Sequence, residues 1–129
     1  MAVTHSTAAR NAATDAVTGT IGASGNLKFR LAGTIGSPGA AVATLPLSAT
    51  AFGASSGGTA TANAITSDTN AAGNASPVAN ASLETSGGTL QIHCAVAASA
   101  SDINMSNGLT VAAGDTVACS SLTYTALAA

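Results

Sequence analysis

The sequence predicts a mainly β protein: an antiparallel β-sandwich or jelly-roll-like pair of sheets with a short N-terminal α-helix. Three observations predict it. Short segments alternate apolar and polar residues with the two-residue period of a strand. Clusters of Gly, Ser, Pro and Asn separate these segments, as turns between strands require. Only the first segment, STAARNAATDAV, is Ala-rich and free of Gly and Pro, as a helix would be.

Residues 1–20 read as a helical arm and 21–129 as one β-rich domain. Thr4 or Ser6 is placed to cap the helix, which runs from Ser6 to about Val17. Its best apolar face is only Ala9, Ala13, Ala16 and Val17, so it needs a surface to lie on. That surface is either its own sheet or another subunit. In Asn26 to Leu31, Leu27, Phe29 and Leu31 share one face and Lys28 and Arg30 the other. The two cations either meet acids on a partner or form a solvated outer face that blunts a sheet edge.

AGTIGSPGAAVAT reads as a loop. In Leu45 to Asp68, an apolar segment carrying Leu45, Leu47 and Phe52 enters the Gly53–Gly58 turn, and TATANAIT returns as a second strand. Pro46 cannot donate to a ladder, so the first of these strands belongs at an edge or a bulge. Val78 to Glu84 and Thr89 to Val96 form a hairpin around Ser86-Gly87-Gly88. Asp102 to Met105 and Leu109 to Val111 are short strand pieces. Thr116 to Thr125 closes the chain with a change of apolar parity that a bulge near Ser120-Ser121 would accommodate.

Composition narrows the function. Leu, Ile, Val and Phe supply 23 of 129 residues, about 18%, which leaves little volume for a core. Such a chain gains from association with neighbours, so a homo-oligomer or another assembled state is expected. Three cations against five acids give no basic face for nucleic acid and no electrostatic grip on a membrane. No apolar run is long enough to span a bilayer. MAVTHSTAARNAATDA lacks the hydrophobic stretch of a secretory leader.

GNLKFRLAG, LPLSATAFGASSGGTATANAITSD and GLTVAAGDTVACSSLTYTAL, in that order and spacing, resemble small virion structural proteins of tailed bacteriophages. In that group a helix precedes a β body, a GxLKxRxG strand opens the body, and an AAGDTV turn with a Ser/Thr-rich strand closes it. The resemblance runs from Ser6 to Ala126. It implies a capsid decoration (cement) subunit, made in the bacterial host cytoplasm and located on the virion surface. Its partners would be the major capsid protein and copies of itself. A tail or head-to-tail junction component is the alternative within the class. The helix and the first strand are the expected contacts, through Arg10, Leu27, Lys28, Phe29, Arg30 and Leu31.

No residue pattern calls for an enzyme, a cofactor or a metal. GxSxG, HExxH, CxxC and Walker motifs are absent. Asp102 and Asp115 sit beside turns, where Asp bonds to local backbone. Cys94 and Cys119 fall at apolar strand positions, as buried free thiols or, if their strands are neighbours, as a disulfide. A donor-strand fimbrial subunit, similarly rich in Ala, Thr and Gly, would require the disulfide. A glycan- or ice-binding module would require exposed aromatics or a longer Thr ladder than Thr59 to Ala64.

Overall fold

The computed structural model describes residues 3–127. Its one helix, α1 (Thr7–Gly19), starts where Ser6 takes an extended conformation and its hydroxyl accepts the Ala9 N–H at 3.1 Å. It stops as Thr20 bonds back to the Val17 carbonyl at 3.1 Å, and the chain reverses through Gly22 at φ +71°.

The strands are β1 (Asn26–Arg30), β2 (Gly33–Thr34), β3 (Ser37–Pro38), β4 (Ala41–Pro46), β5 (Thr59–Thr61), β6 (Asn80–Glu84), β7 (Leu90–Ala97), β8 (Ile103–Asn104) and β9 (Thr123–Thr125). Five form the main sheet in the order β4-β1-β6-β7-β8. All its neighbours are antiparallel except β7 and β8, so the sheet is mixed rather than wholly antiparallel. β5 and β9 make a small antiparallel ribbon, and β2 and β3 a hairpin of their own. The result is a sandwich-like β fold with one helix.

Register explains which side chains are buried. Leu27 lies opposite Leu45 on one side and Leu83 on the other, and Phe29 lies opposite Ala43 and Ala81. These residues share one face of the sheet by the two-residue period. They join a single hydrophobic cluster with Ile21, Phe52, Ala60, Val111 and Val117. The Leu27 rung is all leucine and the Phe29 rung pairs one large ring with two alanines, so few large side chains suffice to cover this face.

Several sequence expectations change. β1 lies between β4 and β6, not at an edge, because both of its neighbours present matching apolar positions. The expected loop 32–44 contains the β2–β3 hairpin and most of β4. Leu45 and Thr59 to Thr61 do not pair with one another: β4 pairs with β1, while β5 pairs with β9. Only the Phe52–Ala62 and Ser56–Thr59 bridges keep the expected return. No strand forms at Leu109 to Val111, and Thr116 to Ser121 holds one bridge, Val117 to Asp68, with β9 beginning at Thr123. Pro46 does end the edge strand β4, where its missing donor leaves no partner unsatisfied.

Candidate interaction surface

The expected contact residues are not a surface. Leu27 and Phe29 are core residues, and Leu31 is half-buried. Lys28 and Arg30 point to the opposite, polar face, where they meet Glu84 of β6. Lys28 Nζ lies 2.9 Å from Glu84 Oε1, and Arg30 donates to Glu84 Oε2 at 2.9 Å. Glu84 is 1% exposed and Arg30 8%. Arg30 Nε also donates to Ser82 Oγ at 3.1 Å, and a terminal nitrogen donates to the Gly39 carbonyl at 2.6 Å. The acid that the two cations require is therefore internal, which corrects both the partner reading and the solvated-edge reading.

The helix is likewise bound to its own body. Arg10 donates to the Gly57 carbonyl at 2.8 Å, and Asn11 Oδ1 accepts the Gly58 N–H at 2.8 Å. Thr14 donates to the Gly58 carbonyl at 2.6 Å, and Asp15 accepts the Ser55 N–H at 2.9 Å. Residues 10, 11, 14 and 15 lie on one face of a helix, at the i, i+1, i+4, i+5 spacing. The helix thus docks by polar side chains on the turn before β5, which accounts for its lack of an apolar stripe. Arg10 is engaged there rather than offered to a partner, and residues 1–20 are not a separate arm over the part described.

The remaining acids are spent on backbone. Asp68 accepts the Thr44 N–H of edge strand β4 at 2.8 Å, Asp102 accepts the Ala95 N–H at 2.9 Å, and Asp115 accepts the Ala112 N–H at 2.9 Å. The Asp68 contact occupies a donor that the sheet edge would otherwise expose. Asp115 acts within its own turn, as the sequence suggests.

Cys94 and Cys119 are free thiols, both half-buried. Burial, and then the nearby Asp102 carboxylate, push the Cys94 thiol up to about 11. Burial also raises Cys119, partly opposed by a hydrogen bond with the Ser121 backbone. Protonated thiols are poor nucleophiles and poor ligands. Among the described residues no three His, Cys, Asp or Glu side chains are grouped to hold a metal. No described helix is long and apolar enough to cross a membrane.

Two features remain open to a partner. One is a trough of about 650 Å³ between residues 102–111 and 115–123, lined by Met105, Cys119 and Leu122 with hydroxyl and amide groups around them. The other is the β2–β3 hairpin, whose tip residue Ile35 is 52% exposed. In the sequence Ile35 lies within a Gly/Pro-rich segment that reads as a loop. Its signal is a lone aliphatic side chain between Gly33 and Gly36, where the expected loop has no need of one. No family model, curated protein or solved structure matches the chain.

Proposed function

We propose that the protein is a structural component of a tailed-phage particle: a decoration subunit bound to the outside of the capsid, holding neighbouring copies of the major capsid protein together. The observation that carries the reading is the place of the resembling motifs in the fold. GNLKFRLAG forms β1, the strand around which β4 and β6 assemble. AAGDTV forms the turn closed by Asp115 and leads to β9, which pairs with the strand of the TAT segment. The order helix, opening strand and closing Ser/Thr strand is thus the framework of the body. The acids and all three cations act as internal fasteners, which suits a scaffold rather than a catalyst. Many copies on a repeating lattice make individually weak contacts sufficient.

The test is composition of the particle. Virions purified by density gradient should contain the protein in a copy number that scales with the capsid lattice, and labelling should place it on the outer shell. Absence from purified particles would overturn the reading, and a copy number of a dozen or fewer would move it to the tail or its junction.

A further inference from the structure

The β2–β3 hairpin belongs neither to the main sheet nor to the β5–β9 ribbon, and residues 32–38 are all exposed. Ile35 sits at its turn. Among the described large apolar side chains only Ile35 and Val3, the latter near the chain start at 74%, are exposed. One exposed isoleucine is ordinary in itself. Its support is not. At the base, Leu31 N–H bonds to the Ala40 carbonyl at 3.0 Å and Gly39 N–H to the Ala32 carbonyl at 3.0 Å. Asn80, 6% exposed, donates to the Gly33 carbonyl at 3.4 Å. The two backbones approach so closely that a Cβ at Gly33 would meet the Gly39 amide nitrogen, and one at Gly39 the Ala32 carbonyl. At the tip, Ser37 N–H bonds to the Thr34 hydroxyl at 3.2 Å.

Arg30 ties this base to the sheet, reaching Ser82, Glu84 and the Gly39 carbonyl at once. A buried ion pair adds little net stability compared with apolar residues of similar size. What it supplies is a fixed position, and here the fixed object is the foot of an exposed hairpin.

We propose that the β2–β3 hairpin is a preorganised docking finger whose Ile35 enters an apolar socket on the capsid protein. This rests on the reading of the chain as a decoration subunit. Residues 31–40 carry no charge, so the matching surface is a neutral aliphatic socket with a polar rim facing the Thr34 and Ser37 hydroxyls. A lipid surface is the poorer match, because one aliphatic side chain without nearby cations gives little membrane affinity. A finger already held in its bound shape loses little conformational entropy on docking.

The experiment uses the full chain, with particles that lack it, in a cosedimentation titration. Burial of one isoleucine predicts that Ile35→Asp weakens binding by about tenfold to a hundredfold, while Ile35→Val retains it and Val3→Asp, at the other exposed apolar position, leaves it unchanged. Melting of each variant should match the parent because the site is exposed; should Ile35→Asp misfold, Ile35→Thr replaces it, with weakened binding again expected. If the parent binds and the folded Ile35 variant binds equally well, the finger is wrong and the decoration reading stands. A parent that does not bind particles overturns the decoration reading and the named partner with it. Self-association of the parent that disappears in Ile35→Asp would make the socket a second copy and overturn the capsid assignment.

Discussion

The Thr14 hydroxyl donates to the Gly58 carbonyl at 2.6 Å and accepts the Ala126 N–H at 3.1 Å. Thr59 and Thr125 are the last paired residues at that end of the β5–β9 ribbon. Gly58 and Ala126 are therefore the next rung, and a helix side chain completes it in place of a direct backbone bond. Thr14 has no solvent exposure, so its hydroxyl has no water as an alternative partner.

Thr14→Val keeps the shape and removes both bonds. It should lower stability by about 1–3 kcal/mol, the cost of leaving buried polar groups unpaired. Thr14→Ser should recover most of that loss. Urea denaturation of the three proteins measures it, and equal midpoints for Val and Thr would show that the helix is not held through this hydroxyl.

Removing residues 2–18 should then damage the β body, contrary to what a free arm would do. The truncation strips the partners of Gly57, Gly58 and Ala126, so the cooperative transition should broaden and shift to lower denaturant. Circular dichroism melts compare the two chains. A truncated protein with an unchanged transition would restore the view of the segment as an appendage.

Glu84 and Lys28 should respond unequally. Glu84→Ala leaves buried Arg30 without its counter-charge and should cost about 3–5 kcal/mol. Lys28, whose side chain is 27% exposed, should cost about 1 kcal/mol or less on replacement by Met, as partly solvated pairs do. Equal losses would mean that Arg30 is stabilised by Ser82 and Gly39 rather than by the carboxylate.

Gly25 lies where the end of the helical segment meets β6. A Cβ there would meet the Ile21 side chain and the Glu84 carbonyl oxygen, and a backbone atom cannot swing aside. Gly25→Ala should therefore destabilise by about 1–3 kcal/mol, as overpacking does. Gly36, where a Cβ would find open space, serves as the comparison and should tolerate Ala.

Cys94 should alkylate slowly at neutral pH, with the rate rising toward pH 11. Asp102→Asn keeps an acceptor for the Ala95 N–H and removes the negative charge, so the thiol should become more reactive at pH 9. Stability follows the same shift. Below the ordinary value of 9.0, folded and unfolded thiols both hold their protons and contribute no pH dependence. Between 9.0 and about 11 the unfolded chain loses its proton first, so the unfolded state binds fewer protons and stability falls as pH rises. Mass-resolved alkylation rates across pH 7–11 test the assignment, and rapid labelling of Cys94 at pH 7 would contradict it.

Local chemistry was legible in the sequence. The two-residue alternation puts Leu27 and Phe29 on one face of a strand, though it offers them to a partner rather than to the core; Pro46 marks an edge, Ser86-Gly87 closes the β6–β7 hairpin, and Asp115 makes its turn. Each depends on residues a few positions apart, where φ/ψ preference and short hydrogen bonds decide the outcome. The tertiary structure alone decided that β1 is central, that β5 pairs with β9, and that Lys28 and Arg30 find their acid within the chain. Arg30 and Glu84 are 54 residues apart, and Thr14 and Ala126 are 112 apart. Residue type does not specify such pairings, because Ala, Thr and Gly strands of similar pattern are interchangeable partners until the few large side chains select one register. The hairpin at Ile35 stayed hidden for the same reason: Gly and Pro announce a turn, but only the buried Arg30 at its foot makes that turn a fixed projection.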